Sequence, residues 1–144
     1  MNYSMVLYIL GYILKFESAF LMLPALVSLI YQERAGIPFV ITAAICLVLG
    51  IVFTHKKPSS STVYTREGFV TVALSWIVMS IFGALPFVWN GDIPYYVDAL
   101  FETVSGFTTT GSSILSDVES LSHASLFWRS FSHWIGGMGV FVFI

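Results

Sequence analysis

The chain has 144 residues, of which 57% are hydrophobic, 17% aromatic and only 10% charged, with a formal net charge of −2. Its mean hydropathy is +0.87, whereas soluble domains carry roughly a quarter charged residues, so an ordinary soluble globular domain is excluded. The same balance leaves no basic surface for nucleic acid, and a single cysteine, Cys46, excludes an internal disulfide and a cysteine metal site.

The first apolar run, Met5 to Tyr31, has no Lys or Arg before it and lacks a small-x-small cleavage site, so it reads as a retained span and not as a signal peptide. At helical rise it covers roughly 40 Å, with Lys15, Glu17 and Pro24 inside it. Intramembrane charges suggest function by default. Lys15 and Glu17 are two apart and do not face each other on a helix, which favours snorkelling or an interhelical structural role. After the turn at 32–36, Pro38 stands near the first turn of a second run, Ile37 to Phe53, where its missing N–H costs least.

Residues 55–67 form a linker. Lys56, Lys57 and Arg66 place half of the six basic residues there, which by the positive-inside bias makes the linker cytoplasmic. The amino terminus is then inside and the turn at 32–36 outside. A third run from Gly68 to Trp89 carries no charge and reads as a span. The turn Asn90-Gly91-Asp92-Ile93-Pro94 follows. Residues 98–106 predict a short helix with Asp98 as N-cap and Gly106 as its stop, roughly 14 Å long, which enters a hydrocarbon core without crossing it.

The next stretch, Phe107-Thr108-Thr109-Thr110-Gly111-Ser112-Ser113, is polar and non-helical, and such backbone is tolerated at membrane depth only when buried in protein or lining a water-filled cavity. Threonines favour extended backbone and Gly111 permits positive φ, so successive carbonyls can turn toward one axis, where they replace the hydration shell of a K⁺-sized cation. The buried C-terminus of the half-helix adds a negative dipole end. Asp92, Asp98, Glu102, Asp117 and Glu119 lie between Trp89 and Ala124 with no Lys or Arg, which concentrates cations at the outer mouth. Asp98 and Glu102 share a helix face, as an acid/base pair would, but capping plus mouth electrostatics is the preferred account.

The last run, 124–144, carries Arg129 and His133 on one face, and Gly136, Gly137 and Gly139 midway. Packing or a salt bridge with an outer carboxylate suits Arg129, which would repel a cation in a pore. The glycines fit a gating hinge or close helix packing. Ser105 and His133 admit a membrane-embedded hydrolase, without an oriented third member. His55, His123 and His133 lack the spacing of an HExxH site.

The order of outward span, half-helix, FETVSGFTTTGSS and a span containing FWRSFSHWIGGMGVFVF resembles the first pore-forming repeat of the Trk/Ktr/HKT superfamily of K⁺ uptake proteins, and the two leading spans with REGF make its bacterial Trk membrane subunits the nearest match. The resemblance implies an all-α membrane protein: a leading transmembrane helix pair (1–54), a cytoplasmic basic loop (55–67), and one K⁺-channel-like helix–pore loop–helix unit (68–144). Within that unit fall the outward helix 68–89, half-helix 98–106, filter loop 107–113 and second helix 124–144. It implies that Thr108, Thr109, Thr110 and Gly111 supply one quarter of the filter carbonyls, with Ser112 at the outer edge and Gly111 as the filter glycine. The implied function is not enzymatic: potassium uptake across the bacterial inner membrane, with K⁺ as the transported ion, by a multi-pass protein with a cytoplasmic amino terminus. The implied partners are membrane lipid and a cytosolic nucleotide-binding Trk regulatory subunit, through which alone nucleotide enters. Four repeats are expected in that family, so a truncated fragment is expected, the alternative being identical copies around an axis. A non-transporting scaffold is the rival reading.

Overall fold

The computed structural model describes residues 3–60, 62–117, 119 and 121–143, with only the backbone for 140–143. Met1, Asn2, Ser61, Val118, Ser120 and Ile144, which the expected segments include, lie outside the described residues. Five helices follow in order: α1 (Tyr3–Ile30), α2 (Gly36–Thr54), α3 (Thr65–Trp89), α4 (Tyr96–Phe107) and α5 (His123–Phe143). No strand occurs among the described residues. By length and composition, α1, α2 and α3 can each cross a membrane, and their outward faces carry exposed Leu, Ile, Val and Phe side chains that suit lipid contact. The fourth expected span, α5, has 21 residues, roughly 31 Å at helical rise. Arg129, His133 and three serines lower its apolarity, so it is not among the three.

The α1/α2 pair is a hairpin closed by Ser28, whose hydroxyl donates to the Glu33 carbonyl at 2.6 Å and accepts the Gly36 N–H at 2.8 Å. Farther along, α1 and α2 touch backbone to backbone. A Cβ on Gly11 would lie 3.0 Å from the Gly50 carbonyl, and one on Gly50 would lie 2.8 Å from the Gly11 carbonyl. Small residues bring apolar helices this close where lipid supplies no hydrophobic drive between them.

Lys15 and Glu17 part company, as their spacing requires. The Lys15 ammonium sits 4.9 Å from the centre of the Tyr12 ring, a cation–π contact on α1 itself. Glu17 is fully buried, and neither carboxyl oxygen has a hydrogen-bond partner among the described residues. Its Oε1 lies 3.5 Å from where a Cβ on Gly83 would be, so it occupies space that α3 leaves open by using glycine. A buried carboxyl without partners is costly. Glu17→Met, similar in volume and apolar, is therefore expected to stabilise the bundle by about 1–3 kcal/mol, read as a higher melting temperature in detergent. A lower one would show that the carboxyl has a partner.

Where the elements converge, Trp128 of α5 is fully buried. Its indole N–H donates to the Gly83 carbonyl at 3.0 Å, and its ring meets Phe39 of α2 and Phe107 of α4 edge-on. This cluster seats α4 against both α3 and α5.

Candidate functional site

Local structure starts in the turn between α3 and α4. Gly91 takes φ +76°, the Ile93 N–H donates to the Phe87 carbonyl at 3.2 Å, and the Tyr96 hydroxyl donates to the Ile81 carbonyl at 2.9 Å, fastening the start of α4 to α3. The helix spans 12 residues, Tyr96–Phe107, longer at both ends than the expected 98–106. Its N-cap is Tyr95, and Asp98 falls in the first turn, where a carboxylate still complements the positive helix end.

Gly106 lies inside α4 and does not end it. A Cβ there would sit 2.2 Å from the Ser132 hydroxyl of α5, so at this helix crossing a side chain would have to displace that hydroxyl. The chain leaves the helix through Thr109, which takes φ +57°. The Thr109 N–H donates to Gly106 O at 3.0 Å and the Thr110 N–H to Ser105 O at 2.9 Å, the paired closure of a Schellman motif, which usually has glycine at this position. Left-handed backbone at a threonine costs roughly 1–2 kcal/mol.

Beyond the stop, Gly111 takes φ +79°. The Thr108 hydroxyl donates to Val104 O at 2.7 Å and bonds the Thr110 hydroxyl at 2.8 Å. Ser105 reaches across to Ser112, donating to its carbonyl at 2.6 Å, so Ser112 O turns back to α4. The Thr108 carbonyl accepts the Thr109 hydroxyl at 2.7 Å. The carbonyls of Thr109, Thr110 and Gly111 are engaged by no hydrogen bond among the described residues, and residues 108–113 are exposed. No group of three or more His, Cys, Asp or Glu is placed to hold a metal ion among the described residues. A cation at this loop would meet peptide and hydroxyl oxygens.

Glu102, expected at the mouth, is instead 2% exposed and faces inward. Its carboxylate accepts Arg129 Nε–H at 2.7 Å, the Ser113 hydroxyl at 2.8 Å and the Ile114 N–H at 3.1 Å. The salt bridge expected for Arg129 is thus made to α4. At the same end of the bundle Asp98 is half-buried, Asp117 and Glu119 are exposed, and Asp92 accepts hydroxyls of Ser125 at 2.5 Å and Ser122 at 3.1 Å. Sequence reasoning missed Ser113, Ile114 and Ser105 as anchors, because no local pattern marks contacts between residues 7 to 12 apart in a loop.

Gly136 and Gly139 are packing positions. A Cβ on Gly136 would lie 2.1 Å from the Phe107 carbonyl oxygen, and one on Gly139 would lie 2.7 Å from the Trp76 ring, whereas Gly137 has nothing within 4 Å. Ser105 and His133 do not form a pair: the serine bonds Ser112 and the His133 ring bonds the Arg129 carbonyl at 2.8 Å. At the start of α5, Glu33 takes the His123 ring and its N–H, and Tyr31 stacks on that ring at 4.0 Å. Partial burial pushes the Glu33 carboxyl up, but the hydrogen bonds from His123 and Ala124 outweigh it and hold it below the usual carboxylate range.

The sequence matches the family described as TrkH, cation transport protein, over residues 36–144. It is similar to the Trk system potassium uptake protein TrkH of Salmonella typhimurium, 38% identical over 144 residues, covering 99% of this chain and 30% of that protein. It is likewise similar to the Trk system potassium uptake protein TrkG of Escherichia coli K12, 38% identical over 135 residues, covering 92% of this chain and 28% of that one. The fold is similar to the crystal structure of the potassium transporter TrkH from Vibrio parahaemolyticus, with a TM-score of 0.91 at 36% identity, covering 99% of this chain and 31% of that chain. The chain spans about 30% of the length of the curated relatives it matches.

Proposed function

This chain belongs to the TrkH family of cation transport proteins, and from that premise we propose that it supplies one wall of the selectivity filter of a potassium uptake protein. One observation carries the reading: among the described residues the carbonyls of Thr109, Thr110 and Gly111 are engaged by no hydrogen bond, on an exposed loop at the C-terminus of a half-length helix. Peptide oxygens so placed substitute for the water around a dehydrated K⁺, and the negative end of the α4 dipole lies behind them. Thr108 and Ser112 flank this row, each with its carbonyl committed within the loop or to α4. Asp98, Asp92, Asp117 and Glu119 raise the local cation concentration.

Residues 68–144 are then one helix–pore loop–helix unit beside the leading pair 1–54. The basic segment 55–67, whose last three residues form the first turn of α3, faces the cytoplasm of a bacterial inner membrane, and so does the amino terminus. A ring of carbonyls needs more than one wall, supplied by further pore repeats or by copies of the chain. A cytosolic nucleotide-binding Trk subunit is the regulatory partner. The hydrolase reading has no geometric support, since the Ser105 hydroxyl is committed to Ser112.

The test is complementation. A K⁺-uptake-deficient cell carrying the whole reading frame that contains this chain is expected to grow at low external K⁺. Normal membrane insertion without growth and without Rb⁺ uptake would overturn the reading and favour a non-transporting scaffold.

A further inference from the structure

We propose that Glu102 and Arg129 are positioning residues that set the direction of the filter carbonyls, acting through Ser113 and Ile114. This rests on the filter reading above and adds to it what determines selectivity within the loop.

Among the described residues, the three carbonyls at Thr109, Thr110 and Gly111 accept no hydrogen bond that would aim them. Their direction is therefore inherited from the anchors on either side. Upstream, Ser105 O receives the Thr110 N–H at 2.9 Å. Downstream there are two ties: the Ser105 hydroxyl on Ser112 O, and the Glu102 carboxylate on the Ser113 hydroxyl and the Ile114 N–H. Of these only the second is charge-assisted, and such bonds are roughly twice as strong as neutral ones. It begins two residues from Gly111.

Arg129 is what makes the tie dependable. Glu102 is enclosed, with its side chain 1% exposed and that of Arg129 17% exposed. An ionised carboxylate is acceptor-only and can take the Arg129, Ser113 and Ile114 donors at once. Without the guanidinium it would be a buried charge with no counter-charge, the arrangement that a structure relieves by moving. Arg129 therefore acts on the loop without touching it, from α5 through α4. Its positive charge, which would repel a cation in the pore, is spent inside the protein.

The pair differs from an ordinary interhelical salt bridge because the same two oxygens also hold the loop. A purely structural bridge predicts lost stability with unaltered selectivity in whatever protein remains. Positioning predicts altered selectivity in folded protein.

The experiment uses the whole reading frame in a K⁺-uptake-deficient cell, with Rb⁺ uptake and its competition by Na⁺ as readouts, and size-exclusion of detergent-solubilised protein as the folding check. Glu102→Gln and Arg129→Gln are each expected to lower the K⁺/Na⁺ discrimination about tenfold and to raise KM for K⁺ more than they lower the maximal rate. The double variant is expected to be no worse than the sum-breaking single changes, since both remove one coupled unit. Where either variant is not monodisperse, Ser113→Ala serves instead: it keeps the ion pair, removes the hydroxyl that donates to Glu102 and accepts the Leu115 N–H, and is expected to shift discrimination the same way by about threefold. Monodisperse variants with the unsubstituted discrimination ratio would overturn the positioning role while leaving the filter reading intact. Absence of K⁺ uptake by the unsubstituted protein would overturn the filter reading and this inference with it.

Discussion

Gly136→Ala is expected to abolish K⁺ uptake and to lower the melting temperature of the detergent-solubilised protein. The added Cβ would sit 2.1 Å from the Phe107 carbonyl oxygen, 2.8 Å from its carbonyl carbon and 3.2 Å from Gly106 O. These are backbone atoms of the last turn of α4, so no rotamer change relieves the contact, and α5 must move off the half-helix. Overpacking of this kind costs about 1–3 kcal/mol. The movement also draws Trp128 Nε1 from Gly83 O and Arg129 from Glu102, bonds of 3.0 Å and 2.7 Å. Gly137→Ala is the matched control, because nothing lies within 4 Å of its Cβ and alanine is about 1 kcal/mol better than glycine in a helix. It is expected to melt no lower than the unsubstituted protein. A stable Gly137→Ala protein without uptake would place a hinge at Gly137, and an unshifted melting point for Gly136→Ala would refute the crossing geometry.

Gly111→Ala is expected to keep the fold and lose ion discrimination. At φ +79° nothing lies within 4 Å of the added Cβ, so the penalty is conformational, roughly 1–2 kcal/mol for a left-handed non-glycine residue. The loop avoids that cost by changing φ at Gly111, which rotates the adjoining peptide planes and so turns the carbonyls on either side of it. We expect K⁺/Na⁺ discrimination to fall at least about tenfold, equivalent to about 1.4 kcal/mol of differential binding, with Gly111→Val more severe. Gly91→Ala is the control for strain alone: φ is +76° and the space is likewise open, but the residue lies in the α3–α4 turn. A similar stability loss with unaltered discrimination is expected there. Unaltered discrimination in Gly111→Ala and Gly111→Val would remove Gly111 from the site.

Legibility differed sharply between elements. The three long apolar runs became α1, α2 and α3 because lipid-facing burial is written into composition over about 20 residues. The half-helix was legible in outline, but both of its ends were misread for one reason. Asp98 and Gly106 carry the residue preferences of a cap and a stop, yet the helix starts after Tyr95 and leaves through Thr109. Gly106 answers to Ser132 on another helix, and a threonine in the left-handed region is not predictable from its own preferences. Glu102 was read by sign alone. Its partner lies 27 residues away, beyond any helical or hairpin period.

What the amino-acid order determined unaided was the solvent of each segment, the succession of helices, and a polar break that no membrane helix could absorb, at 108–113 once Phe107 is given to α4, since these depend on residues close in sequence. Tertiary structure alone decided which glycines are contacts, that Glu17 sits against Gly83 without a hydrogen-bond partner among the described residues, and that Glu102 faces Arg129 and the loop instead of water. Those outcomes depend on where separate helices cross, and a charge or a missing side chain acquires its role from the neighbour that arrives within a few ångströms.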